Sequence, residues 1–151
     1  MKTLTFFSLV ILLICFIFIE TSAQDIAVQN LIGKSKSEVI NKFGKPVHQD
    51  NSNPAMICMF YQDKTTRMIF VSDKDGVYQS EATVNYSKET SARNAVDKFI
   101  INSVADGFEV DTVTTNDFEV HRKGVKTDLQ LSENKIAQNF VVSVKARRSE
   151  D

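Results

Sequence analysis

Few side chains in this sequence could do chemistry. The histidines are His48 and His121, and the cysteines are Cys15 and Cys58. A metal site needs convergent His, Cys or carboxylate ligands at workable spacing, and neither histidine has such a partner nearby. Asp73-Lys74-Asp75-Gly76 resembles the start of a calcium loop. That loop requires a bidentate Glu at its twelfth position, and Val84 stands there. The segment therefore reads as a turn. Cys58 lies in the apolar run Met56-Ile57-Cys58-Met59-Phe60, where a thiol behaves as a small hydrophobe and its thiolate is disfavoured. A cysteine nucleophile would need His48 or His121 beside Cys58, and an apolar strand is a poor place for it. No Gly-x-Ser-x-Gly elbow occurs, and Gly33-Lys34-Ser35 lacks the second glycine of a phosphate loop. The expectation is a protein that is not an enzyme and has no metal and no cofactor.

The elements that must carry any site follow from periodicity. Ser35 and Glu38 have capping-box spacing, Val39, Ile40 and Phe43 share one helical face, and Gly44 with Pro46 ends the helix. His48 to Pro54 reads as a polar loop. Ala55–Gln62 is apolar on both faces and is expected as a central strand, followed by Thr66–Ser72 and Val77–Tyr86. In the last of these, Tyr78, Ala82, Val84 and Tyr86 share one face, and Gln79, Glu81, Thr83 and Asn85 the other. A second helix starts at a Thr90 or Ser91 cap, with Ala92, Ala95, Val96, Phe99, Ile100 and Val104 as its apolar stripe. Phe108–Val113, Phe118–Lys123, Val125–Ser132 and Phe140–Arg147 read as four more strands. The order is helix, three strands, helix, four strands, and residues 33–86 and 91–147 look alike in pattern. The expected architecture is two-layer α+β, an antiparallel sheet with two helices packed on one face.

One wet sheet face is then the candidate surface. It would carry Gln79, Glu81, Thr83, Glu119, His121, Lys123, Lys126, Asp128, Gln130 and Lys145. A broad face of mixed charge can hold a partner protein, although these positions offer no aromatic hot spot. The net charge of −1 argues against a dedicated nucleic-acid or anionic-membrane binder. The basic Lys145-Ala146-Arg147-Arg148 run is followed by Glu150 and Asp151 and reads as a solvated strand end.

The N-terminus reads as an export signal. Lys2 precedes an apolar run from Leu4 to Ile19, Glu20 ends it, and Thr21-Ser22-Ala23 offers small residues before Gln24. Residues 1–23 are expected to be a cleaved signal peptide and residues 24–151 one domain, with no membrane anchor after cleavage and Cys58 as the sole cysteine. The destination is the periplasm or the extracellular space. Cys15 is a poor lipid acceptor, because Leu12-Leu13-Ile14 lacks the small residues wanted before it. Asn85-Tyr86-Ser87 fits a glycosylation sequon.

Gly33-Lys34-Ser35-Lys36-Ser37-Glu38-Val39, with Phe43-Gly44-Lys45-Pro46, resembles the opening of the SmpA/OmlA (BamE-like) and β-lactamase-inhibitor-protein-like group. The resemblance implies an exported, non-enzymatic domain that works through protein contacts. This chain departs from those assembly lipoproteins in lacking a lipid-bearing cysteine, and from the inhibitors in lacking their disulfides. The resulting expectation is a protein-binding module of the cell envelope or extracellular space. The alternative is a carrier of a small apolar ligand, with Met56, Met59 and Met68 as adaptable lining.

Overall fold

The computed structural model describes residues 26–150. The expected signal peptide, with Cys15, lies outside the described residues. A 3-10 turn at Val28–Leu31 comes first, then α1 (Lys36–Phe43), β1 (His48–Asp50), β2 (Ile57–Gln62), β3 (Thr66–Asp73) and β4 (Gly76–Tyr86). Helix α2 (Glu89–Ala105) leads into β5 (Glu109–Thr112), β6 (Asp117–Arg122), β7 (Val125–Asn134) and β8 (Asn139–Arg148). All eight strands form one antiparallel sheet, in the order β1-β2-β3-β4-β8-β7-β6-β5. Two four-stranded meanders thus meet where β4 pairs with β8, from Gln79 opposite Arg147 to Tyr86 opposite Phe140.

This corrects the expected two-layer α+β class and its count of seven strands. Strand accounts for 46% of the described residues and helix for 23%, so the fold is sheet-dominated. The physical reason is width. Eight strands at about 4.8 Å spacing make a sheet about 34 Å across, and two helices of about 10–12 Å diameter cannot form a full second layer over it. Part of the cover comes instead from the lead-in, whose Ile26, Val28, Leu31 and Ile32 are all buried. The strand missed in the sequence, β1, is the polar triplet His48-Gln49-Asp50. It has no alternation to betray it and exists because its backbone pairs with Cys58–Phe60.

The inner face holds the core. Along β7, Val125, Thr127, Leu129 and Leu131 are buried while Lys126, Asp128 and Gln130 are exposed, the two-residue period expected of a half-wet strand. Val142, Val144 and Ala146 of β8 and Ala82 and Val84 of β4 continue the apolar floor. Each fully buried Val, Leu or Phe contributes about 1.5–3 kcal/mol. Helix α1 docks over β2 and β3. Val39 is fully buried, Phe43 stacks on Phe70 at 5.4 Å between centroids, and the Tyr61 hydroxyl donates to the Gly44 carbonyl at 3.0 Å. The capping box forms: the Ser35 amide donates to Glu38 at 2.8 Å, and the Glu38 amide to the Ser35 hydroxyl at 3.3 Å.

Helix α2 differs from expectation in two respects. Its N-cap is Lys88, with no side-chain cap. The first turn is held instead by Glu89, whose carboxylate pairs with Arg93 four residues on at 2.8 Å. The buried stripe is Ala92, Val96, Phe99 and Ser103, while Val104 is 55% exposed. Ser103 is drawn inward because its hydroxyl accepts from the buried Gln29 amide at 3.1 Å. A polar pair, invisible to hydrophobic periodicity, sets the rotation of this helix.

The lead-in is stitched to β4 by backbone. The Gly33 amide donates to Val77 O at 2.7 Å, the Val77 amide to Lys34 O at 2.8 Å, and the Ser80 hydroxyl to Val28 O at 3.0 Å. Gly76, at φ +103°, sits under this crossing, and a Cβ there would lie 2.8 Å from the carbonyl oxygens of Gly33 and Lys34. Gly76→Ala should lower unfolding stability by on the order of 2 kcal/mol, read as a lower urea midpoint. Gly124→Ala, which meets open space at φ +81°, should cost about half of that. Thr127 is 2% exposed and its hydroxyl has no partner among the described residues. Thr127→Val removes that stranded group at equal volume and should raise stability by about 1 kcal/mol in the same titration.

Candidate functional site: the uncovered sheet face

The second face of the sheet has no layer over it among the described residues. Its side chains line up in rows that run across the strands. One row, in register, is Asp50, Cys58, Val71, Gln79, Arg147, Lys126, His121 and Glu109. The next is His48, Phe60, Ile69, Glu81, Lys145, Asp128, Glu119 and Asp111. Gln62, Arg67, Thr83, Ser143, Gln130 and Asp117 form a third, wholly polar row.

The face is divided by chemistry. Across β2 and β3 the side chains of Cys58, Phe60, Ile69 and Val71 form an apolar, half-buried patch, and His48 lies against Phe60 at 5.5 Å between ring centroids. Across β5 to β8 most positions are charged. Arg147 pairs with Asp128 at 3.0 Å, and His121 Nε2 lies 3.0 Å from Asp111. Thr114 and Gln130 donate to the Asp117 carboxylate at 2.6 and 2.7 Å and hold its pKa below the usual value.

The structure brings Gln79, Glu81, Thr83, Glu119, His121, Lys126, Asp128, Gln130 and Lys145 together on this face, as the alternation predicts. Lys123 is the exception. Strand β6 ends at Arg122, and Lys123 sits in the turn with Gly124. Sequence reasoning missed the apolar patch. The sequence signal was present, since Ala55–Gln62 is apolar on both faces. That pattern predicts a strand buried on both sides, whereas β2 is next to the edge and its outer face is open.

Among the described residues, clefts lie beside the sheet. One, of about 760 Å³, runs between α2 and the lead-in and is lined by Ile26, Asn30, Tyr86, Asn94, Lys98 and Phe99 among others. The methionines considered as a ligand lining are not in it. Met59 is fully buried in the core, Met68 packs against the core and Met56 is 49% exposed. The other cleft, of about 300 Å³, lies at the β6–β7 turn.

Cys58 is half-buried and unpaired by any disulfide. Desolvation and, secondarily, the Asp50 carboxylate push its pKa up, the reverse of what a nucleophilic thiol needs. Its sulfur lies 3.9 Å from Met56 O. Among the described residues, no group of three or more His, Cys, Asp or Glu is placed to hold a metal.

No family model matches this chain, and no curated protein matches it. Among solved structures, it is similar to one from Staphylococcus aureus subsp. aureus Mu50 described as a cysteine-rich secretory protein. The identity is 10%, the TM-score 0.45, and the match covers 80% of this chain and 46% of that one. It is also similar to an extracellular protein containing an SCP domain from Bacillus anthracis str. Ames. There the identity is 15%, the TM-score 0.42, and the coverage 80% of this chain and 45% of that one. The chain spans less than half the length of either. The resemblance to the SmpA/OmlA (BamE-like) and β-lactamase-inhibitor-protein-like group is not borne out: no family model of that group matches, and the similar solved structures are described as cysteine-rich secretory and SCP-domain proteins. Its motif has a local cause: Ser35 and Glu38 close the start of α1, and Gly44, at φ +79°, closes its end. Any short capped helix needs such punctuation.

The raised thiol pKa gives a chemical test. Iodoacetamide should alkylate Cys58 in the native protein more slowly than a free thiol at pH 7.5, with the rate still climbing above pH 9. A rate at pH 7.5 above that of free cysteine would refute an unactivated thiol.

Proposed function

We propose that this chain is an exported, non-enzymatic protein-binding module, working in the periplasm or the extracellular space, that takes its partner on the uncovered sheet face. The observation that carries this reading is the contiguous patch of Cys58, Phe60, Ile69 and Val71 on a face with no covering layer, beside a strongly charged half. Apolar groups placed on an open sheet face, rimmed by polar ones, are the anatomy of a protein interface. Size agrees. A face about 34 Å wide and about 20 Å along the strands offers roughly 700 Å², close to the ~800 Å² per partner of a standard interface. Export rests on the basic, apolar and small-residue pattern of residues 1–23. The sign and size of the net charge, −1, favour a protein partner over nucleic acid.

A photo-cross-linking residue at Ile69 should trap one dominant protein from the cell envelope or medium. The same residue at Ile101, which is 67% exposed on α2, should trap none of it. Ile69→Asp should cut binding of that partner at least tenfold while leaving the circular dichroism spectrum unchanged. Equal trapping at both positions, or a folded Ile69→Asp protein that binds as before, would sink the proposal.

A further inference from the structure

Two helices cannot roof eight strands, and the gap left on the covered side of the sheet is the cleft of about 760 Å³ between α2 and the lead-in. Its α2 wall carries Asn94, Lys98 and Asn102, a row in which each residue is four positions after the last. All three are exposed, and no side chain of the three hydrogen-bonds or pairs with another described residue. Ala95, expected in the buried stripe, is only half-buried and lines the cleft, where its small side chain leaves room. Beneath lie Ile26 and Phe99, 6% and 3% exposed. The Asp106 carboxylate is already taken by the Asn30 amide at 2.7 Å, and Lys42 and Thr65 have partners of their own. The α2 wall therefore offers two free carboxamides with one free ammonium between them.

A carboxamide carries both a donor and an acceptor, the same pair that a peptide unit presents. Asn94 and Asn102 are eight residues apart, about 12 Å along the helix axis. Four residues of extended chain span about 13 Å and bring the same edge of the backbone round to the same wall. Lys98 falls midway, two residues of extended chain from each carboxamide. A sugar is served less well, because it stacks on an open ring face and the Phe99 ring is buried. We infer that this cleft binds an extended segment of another protein, its backbone clasped by Asn94 and Asn102 and an acidic side chain drawn to Lys98. The cleft is on the side of the sheet away from the apolar patch, so this site stands independently of the sheet-face reading.

The test uses the ¹⁵N-labelled protein and three probes: the acetylated, amidated pentapeptide Ser-Ala-Asp-Ala-Ser, its counterpart with Lys in place of Asp, and a trimer of N-acetylglucosamine. A backbone clasp tolerates many sequences, so a generic peptide is a fair probe. The expected result with the Asp peptide is saturable movement of the side-chain amide signals of Asn94 and Asn102 and of the backbone amide of Asn30, while Phe60 and Ile69 stay still. Binding, read at Asn30, should weaken about tenfold in the Asn94→Ala/Asn102→Ala double variant. Both changes raise helix propensity at exposed positions, so folding is not at stake. The Asp peptide should bind about threefold more tightly than the Lys peptide, and Lys98→Glu should reverse that order. No movement at these signals, or affinity unaltered in the double variant, would overturn the site. Equal binding of the two peptides would overturn the role of Lys98. The sugar trimer bound more tightly than either peptide would overturn the peptide assignment in favour of a saccharide. Movement at Phe60 and Ile69 instead would move the peptide to the open face and leave the cleft without a role.

Discussion

Everything in this molecule depends on the pairing of β4 with β8. Each four-stranded meander is built from hairpins, whose strands are near neighbours in sequence. The seam between them joins residues 79–86 to residues 140–147 and is the long-range step. It places Ala82 beside Val144 and Val84 beside Val142, all buried, so the backbone ladder and the centre of the core form together. Without it, two half-sheets would each expose an apolar edge strand, the arrangement that invites association between chains. The lead-in reinforces the seam, since the 3-10 turn packs on β4 and β8, its Val28 carbonyl takes the Ser80 hydroxyl, and the Lys34 carbonyl after it takes the Val77 amide.

How much of this was legible depended on which residues carried the information. Strands β4, β7 and β8 alternate cleanly because one face is core and the other solvent, and a period of two reports that directly. The first helix announced itself through Ser35, Glu38 and Gly44, whose roles are local. What stayed hidden was set by distant partners. β1 is a strand only because β2 offers it an edge. Ser103 points inward only because Gln29 comes back across 74 positions to meet it. The wet face was readable where charged residues alternate with apolar ones, in β4 and β7, and unreadable in β2, where both faces are apolar. An apolar outer face is the same in sequence whether another layer of the fold or a partner is meant to cover it.

The two meanders are alike in plan and opposite in surface. In the first, the open face is Cys58, Phe60, Ile69 and Val71. In the second, it is Arg147, Lys126, Asp128, Glu119 and His121. Their inner faces are both aliphatic, as one continuous core demands. Selection for packing cannot account for the difference, because the outer side chains of neither half contribute to that core. The charged half keeps an open sheet soluble and blunts its β5 edge, which is four residues long and carries Glu109 and Asp111. The apolar half does neither.

A half-buried patch that does nothing for solubility has to be stabilised by something it covers or something that covers it. The inner side chains of β2 and β3 are already packed under α1, with Phe43 stacked on Phe70, so the outer patch adds no further core. On the function proposed above, the remaining burial would come from a second surface. The seam then does double service: by fixing β4 against β8 in a single register, it holds the apolar half and the charged half at one spacing and one angle. On that proposal, a partner spanning both halves would read the geometry of the seam, and loosening the seam would weaken binding even with every contact residue in place.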